Sequence, residues 1–334
     1  MEEKIQLAHG GGGKLSARLI KDEILSRFGN GPLRNLPDAA ELPLTADKII
    51  YSTDSFVVSP YFFPGGNIGE LAVYGTVNDV CVAGGRPRWL SLALIIEEGF
   101  PLENLRRILD STAEAAKRCG VTIVTGDTKV VQKGNCDGIY MNTSGIGVKI
   151  AGLELGRQRI KPGDAVIVSG AIGEHGFAVL AARNGIRTGG GLVSDCGPLN
   201  GLLEQAAPFG DKVKFMRDPT RGGVAAVLNE IVENMEFGIE LKQNAVPVSE
   251  GVRSVSEMLG IDPLNVACEG RMILICDQSA ADGILSGFRS LPEGEGACVI
   301  GTAGGIAGKV TMKTITGVSR LIDLPSGELL PRIC

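Results

Sequence analysis

Apolar and polar positions along the chain switch between a period near two and one near 3.6, which predicts strands and helices in alternation. Residues 47–58 (DKIIYSTDSFVV) read as a strand ending in a polar turn. Residues 67–83 carry apolar side chains at helical spacing and stop at Gly84 and Gly85. Residues 89–97 form the next strand. Residues 101–119 form an amphipathic helix, with Pro101 in its first turn and Gly120 just past its end. VTIVTGD and GIYMNTSGIGVKI are two further β-rich runs, and the charged stretch 150–163, with its Pro-Gly turn, marks a domain boundary. Beyond it DAVIVSG reads as a buried strand. Helices are expected over about 176–184, 199–207, 223–234, 250–259 and 279–289, with RMILICD and KVTMKTI as strands between them. The expected architecture is α/β with mixed sheets rather than one doubly wound sheet. It comprises a glycine-rich segment (1–40), an N-terminal domain (41–152), a C-terminal α/β domain (153–318) and an extended arm (319–334) containing Pro325, Gly327 and Pro331.

Composition narrows the function. With 44% hydrophobic and 21% charged residues, the 334-residue chain has enough apolar material for packed cores. The net charge is −5 and no block of Lys or Arg stands out, which argues against nucleic acid as a partner. The longest apolar stretch, around 89–96, is far short of a membrane span, and the opening MEEKIQLAHG has no apolar signal core. A cytoplasmic protein with reduced thiols is expected. The eight cysteines include no CxxC, and His9 and His175 lie far apart in sequence, so neither a zinc site nor a disulfide framework is indicated. The 48 glycines, about twice the usual share, suggest backbone turns that approach something closely, such as a phosphate.

His9-Gly10-Gly11-Gly12-Gly13-Lys14 has the look of a P-loop. However, Ala8 stands where the first glycine belongs, and Leu15 where Ser or Thr would follow the lysine. A mobile lid whose amides and Lys14 fold over phosphate oxygens is the alternative to a plain flexible linker. No G-x-G-x-x-G occurs, so a dinucleotide site is unsupported. Four segments place acidic residues beside small or polar ones: Ser52-Thr53-Asp54-Ser55, Asn78-Asp79-Val80, Gly126-Asp127-Thr128-Lys129, and Arg217 to Gly223 with Asp218, Thr220 and Arg221. Carboxylates are hard oxygen ligands, and Mg²⁺ is commonly held by a few of them together with substrate phosphates. Arg221 before Gly222-Gly223 and an apolar helix adds a cation and helix-terminal amides for an anion. With FPGGNIG (Gly65, Gly66, Asn67), these segments point to a nucleotide site. ATP and Mg²⁺ are the expected ligands, with Asp54, Asp79, Asp127 and Asp218 as the metal-binding carboxylates.

STDSFVV, FFPGGNIG, GTVNDV, TGDTKVVQ, RDPTRGGV and the terminal PRIC resemble, in that order, the HypE family of hydrogenase maturation proteins. That family lies within the superfamily of ATP-dependent aminoimidazole ribonucleotide synthetase and selenophosphate synthetase. The likeness runs from HGGGGK to the last residue, and PRIC is its most specific element. It implies a two-domain fold and a homodimer whose N-terminal sheets pair into a barrel across the two-fold, with Mg²⁺–ATP in a cleft between the domains. The implied chemistry is cyanide synthesis for the iron of nickel–iron hydrogenases. A HypF-type carbamoyltransferase loads Cys334, ATP-dependent dehydration turns the thiocarboxamide into a thiocyanate, and the HypC–HypD complex accepts the cyanide. The resemblance places Glu269, from NVACEGR, beside the cysteine as proton acceptor, and Lys129 as charge stabiliser.

The residues suit this chemistry. Expelling a carbonyl oxygen needs it converted to phosphate, and two N–H protons must leave, so a base is required near the arm. The ten residue-to-residue steps from Leu324 to Cys334 reach about 33–36 Å, enough to visit a cleft and a partner. The α-carboxylate is expected to raise the Cys334 thiol pKa slightly, with Arg332 offsetting it. Apolar residues on both faces of GIYMNTSGIGVKI independently suggest a dimer. Two rivals stand beside the dehydratase. One is a non-catalytic cysteine carrier. The other is a further superfamily enzyme, such as a selenophosphate synthetase, against which counts a first cysteine as late as Cys81.

Overall fold

The computed structural model describes residues 4–11, 13–29, 31–36, 39–44, 47–186, 188, 191–324 and 332–334. A helix begins directly after the glycine run as α1 (Lys14–Leu19), continues as a π-helical stretch (Ile20–Leu25) and closes as α2 (Ser26–Phe28). This element was not expected from the sequence. Its apolar residues sit among charges; it buries Leu19 and Phe28 in the N-terminal core, with Ile24 and Leu25 packed against them, and Glu23 adds ion pairs with Arg27 and Arg106.

The N-terminal sheet follows. It contains β1 (Ile49–Phe56), then a small ribbon of β2 (Phe62–Phe63) and β3 (Gly66–Asn67), then α3 (Ile68–Val82), β4 (Gly85–Glu97), α4 (Leu102–Cys119), β5 (Thr122–Val131) and β6 (Ile139–Lys149). Strand order is β1-β6-β4-β5, with only the β4–β5 pair parallel. Helix α3 starts on a capping box, in which Asn67 accepts from Gly69 N and Glu70 accepts from Asn67 N. It is buried on every side except at Glu70 and Asp79. Helix α4 buries Leu105, Ile108, Leu109, Thr112, Ala116 and Cys119, the i, i+3, i+4 stripe of an amphipathic helix, and ends at Gly120 with φ 66°.

The C-terminal domain contributes β7 (Ala165–Val168), α5 (Glu174–Arg183), α6 (Asn200–Ala206), β8 (Val213–Arg217), α7 (Gly223–Val232), β9 (Ile239–Lys242), α8 (Glu250–Leu259), β10 (Ile273–Cys276), α9 (Ala281–Arg289), β11 (Cys298–Ala303), β12 (Val310–Lys313) and β13 (Ser319–Leu321). Its seven strands run in the order β13-β12-β9-β11-β7-β10-β8, with only β9–β12 parallel, so both sheets are mixed. Strands β8, β9 and β11 are additions to the sequence reading. They are short, and Gly301 interrupts β11 where a Cβ would run into the backbone of β9. The expected arm starts as an edge strand, β13 pairing antiparallel with β12. Residues 325–331, including Pro325, Gly327 and Pro331, lie outside the described residues, as does Gly12.

Among the described residues, neither sheet closes on itself. One apolar core runs from α3 and α4 into α6 and α9, so the two domains share buried side chains. A bidentate Arg86–Glu204 ion pair and an Arg118–Glu293 pair rim that junction. Phe288 on α9 is fully buried in the shared core, so Phe288→Ala is expected to destabilise the protein by about 3–5 kcal/mol in denaturant unfolding.

Candidate functional site

The last three residues are tied into the body of the protein. Val57 N donates to Cys334 O (3.2 Å), and Ser59 N donates to Arg332 O (3.3 Å). Arg183 donates to Arg332 O (2.7 Å) and to Ser59 O (2.6 Å). The Arg332 side chain donates to Val57 O (3.0 Å) and pairs with Asp137 at 2.5 Å. His175, buried in α5, makes a 2.9 Å hydrogen bond to Ile333 O, and Ile333 itself is 4% exposed. The cysteine that ends the chain is therefore held in one place.

That place is lined by carboxylates. Burial pushes the Asp54 carboxyl up, with Asp79 adding to the rise, and burial likewise raises Asp79, which accepts from Ser52 Oγ at 2.6 Å. Asp218, just past β8, is raised to about 7 by burial and by its neighbours Asp79 and Asp54. Glu269 is 2% exposed, its Oε1 has no hydrogen-bond partner, and burial plus Asp218, Asp195, Asp54 and Asp79 hold its pKa well above the carboxylate range. Burial and Glu269 push the Cys334 thiol up to about 12, against a hydrogen bond from Arg221. The cation at the sulfur is thus Arg221. Arg332 was expected to offset the thiol shift, but it is engaged with Val57 and Asp137, and burial rather than the α-carboxylate dominates. Arg217 faces Asp79 while pairing with Glu230 at 3.2 Å. Thr220 closes the turn before α7, its N donating to Asp218 O and its O accepting from Gly223 N, each at 3.0 Å.

Asp127, Thr128 and Lys129 lie elsewhere in the chain. Asp54 pairs with Thr143 and so faces the helices, whereas Asp127 pairs with Ala93 and Ala93 with Asn142, the opposite face of the sheet. Strand β5 is also the far edge from β1. Asp127 and Lys129 pair with each other at 3.3 Å, both about two-thirds exposed. Lys129 is therefore not beside Cys334 within one chain, because the strand continues straight through GDTK and its pleat turns these side chains outward. With His9, Gly10 and Ser16, these residues line a cavity of about 250 Å³ floored by Leu92, Leu94 and Ile123. Lys14, exposed, starts the helix beside it.

The FPGGNIG residues have structural work. Asn67 caps α3 and donates to Ser111 Oγ (2.7 Å). Gly65 has φ +90°, and a Cβ there would meet Ser194 N at 2.8 Å. At Gly66 a Cβ would meet Glu70 Oε1 at 2.5 Å.

Two positioning residues were not singled out as site residues by the sequence: Asn78, noticed only as the neighbour of Asp79, and Asp195. Asn78, 1% exposed, donates to Gly197 O and Glu269 O (3.0 Å each) and accepts from Leu199 N (2.8 Å), which locks the domains together at Glu269. Asp195 accepts from Glu269 N (3.0 Å). Its pKa is raised to about 6 by burial, against Arg271 3.6 Å away. The Asn-Asp dipeptide drew attention to Asp79, and only the structure shows that its asparagine spans the junction. Among the described residues, no three His, Cys, Asp or Glu side chains are grouped closely enough to hold a metal ion unaided.

Residues 37–149 match the family described as AIR synthase related protein, N-terminal domain, and residues 161–312 match its C-terminal domain. The chain is 44% identical over 335 residues to "Carbamoyl dehydratase HypE" of Rhizobium leguminosarum bv. viciae, covering 99% of this chain and 95% of that one. Among solved structures it is similar to hydrogenase maturation protein HypE in complex with ATP (TM-score 0.94, 43% identity, 98% of this chain and 99% of that chain). It is also similar to a chain of a HypE–HypF complex (TM-score 0.81, 46% identity, 92% and 99%).

Two measurements check this geometry. Asn78→Ala strands two carbonyls and an amide at the junction and is expected to lower unfolding stability by about 2–5 kcal/mol. The second concerns Asp218, whose folded pKa of about 7 exceeds the ordinary 3.8, so its native form holds the extra proton. Its contribution is complete below about pH 4 and is lost as pH rises through about 7. Without nucleotide or divalent ion, Asp218→Asn is expected to be more stable relative to the unaltered protein at pH 8 than at pH 4. Equal differences in denaturation midpoint at the two pH values would remove Asp218 from this role.

Proposed function

The chain belongs to the HypE family of AIR synthase related proteins, and on that premise we propose that it is an ATP-dependent carbamoyl dehydratase acting on its own C-terminus. The carbamoyl group on Cys334 is dehydrated to a thiocyanate, which supplies cyanide for hydrogenase iron. The observation that carries this reading is the terminal cysteine docked beside the unpartnered carboxyl of Glu269.

The seat favours an uncharged sulfur. A thiol pushed up to about 12 is a poor nucleophile at neutral pH, so Cys334 is loaded elsewhere, in a HypF-type carbamoyltransferase, and docks afterwards. Once docked, S–C(=O)–NH₂ must lose its oxygen and both N–H protons. Glu269, ionised once a cation offsets the neighbouring carboxylates that otherwise keep it protonated, takes one proton from the nitrogen as the oxygen is phosphorylated. The second proton leaves with the departing phosphate. Asn78 holds the carbonyls of Gly197 and Glu269 and the amide of Leu199, so the base does not drift. The crowded Asp54, Asp79 and Asp218 suit a divalent cation that brings ligands of its own, with Arg217, Thr220 and Arg221 beside them for phosphate oxygens. Bound Mg²⁺–ATP supplies the phosphoryl group that turns the departing oxygen into phosphate. HypC–HypD then accepts the cyanide.

A second copy completes the site. The outer face of the N-terminal sheet exposes Ile49, Tyr51 and Ile95 alongside Asp127 and Lys129, and both edges, β1 and β5, are unpaired among the described residues. Pairing these edges across a two-fold buries the apolar face in a barrel. It also carries Asp127, Thr128, Lys129 and Lys14 of one copy toward Asp54 of the other, accounting for their separation within one chain.

A carrier without catalysis would consume no ATP. Carbamoylated protein is expected to turn over about one ATP per carbamoyl group, and Cys334→Ala none. ATP use independent of Cys334 would overturn the reading. Asp79→Asn is expected to weaken Mg²⁺-dependent ATP binding about tenfold or more by calorimetry while leaving the fold intact.

A further inference from the structure

Phe62-Phe63-Pro64-Gly65-Gly66 has no part in the chemistry above, yet the structure packs it tightly. Pro64 O accepts from Ser194 N at 2.8 Å, and Gly65 leaves no room for a side chain against that same amide. Phe63 stands edge-on to His175, centroids 5.3 Å apart at 88°. Ser194 Oγ lies 2.8 Å from His175 Nδ1 and accepts from Cys196 N at 3.0 Å. The other ring nitrogen, Nε2, is 2.9 Å from Ile333 O.

These contacts fix the tautomer. A carbonyl oxygen only accepts, so Nε2 carries the hydrogen and Nδ1 must accept from the Ser194 hydroxyl. Burial lowers the His175 pKa to about 4, so the ring is neutral at pH 7, with a single N–H aimed at the tail. The next residue after Ser194 is Asp195, which holds Glu269 N. One short segment thus touches both the base and the imidazole that grips the residue before Cys334.

We propose that His175 is a positioning residue that seats Cys334 for the reaction, with FFPGG and Ser194 holding its ring in the donating tautomer. This rests on the dehydratase reading for its purpose but not for its geometry. The seat is a neutral N–H meeting the Ile333 carbonyl, supported by Arg183 on the Arg332 carbonyl. It reads backbone rather than side chain, so it serves the tail equally whether Cys334 is free or carbamoylated.

The test is the rate at which iodoacetamide alkylates Cys334 in the full chain, followed by peptide mass spectrometry, with Cys298 as internal reference. His175→Phe keeps a ring against Phe63 but removes the donor, and is expected to speed Cys334 alkylation about tenfold. His175→Gln places an amide N–H near the Nε2 position and is expected to return the rate to within about twofold of the unaltered protein. Ser194→Ala keeps the imidazole and frees its tautomer, with an expected rise of about threefold. If His175→Phe does not fold, the Ser194→Ala rate decides alone. An unaltered rate in His175→Phe or in Ser194→Ala, or a His175→Gln rate equal to that of His175→Phe, overturns the proposal. The assay uses neither ATP nor a carbamoyl donor, so its outcome is separate from whether the protein proves to be a dehydratase.

Discussion

Four carboxyl groups, those of Asp54, Asp79, Asp218 and Glu269, are crowded into one partly dry junction, and the rest of the site is organised around that crowding. Charges removed from water are strongly disfavoured unless paired, and here Arg217 and Arg221 are the cations at hand. The cluster responds by holding protons: the pKa values of all four groups are raised, and the thiol of Cys334 is raised with them. A site tuned this way favours uncharged groups at rest and gains most when a cation arrives. That suits the carbamoylated sulfur and magnesium nucleotide of the proposed reaction.

Rigidity comes from uncharged hydrogen bonds around the cluster. Asn78 uses both ends of its amide to join α3 to the backbone at Gly197, Leu199 and Glu269. The FPGG motif, by clamping Ser194, fixes the same segment from the other side. Glu269, the docked tail and the domain junction therefore share one piece of backbone. A change at any of them is felt at the others through bonds that salt screens little.

Much of the fold was legible because its main helices are long and strongly periodic. α4 shows the pattern in full, with an apolar stripe and a glycine stop. The helical segment 14–28 escaped notice because it follows four glycines and its few core residues, such as Leu19 and Phe28, are spread among charges. In the site, Asp54, Asp79, Asp218, Glu269 and Cys334 all stood in quotable motifs. What sequence could not give was the facing of Asp127 and Lys129. That depends on strand register across β6 and β4, and register is set by tertiary pairing. The thiol shift was misjudged for a related reason, since burial of a terminal residue is invisible until the tail is seen docked. Asp195 and His175 belong to no motif, and their roles lie in whom they touch.

The most direct test follows the mass of the C-terminal peptide after loading with a HypF-type carbamoyltransferase and carbamoyl phosphate, before and after ATP. The account predicts that ATP converts the carbamoylated Cys334 peptide to one lighter by a single water, with no other cysteine peptide changed. A carbamoylated peptide that persists unchanged with ATP, or a dehydrated adduct on any other cysteine, would contradict it.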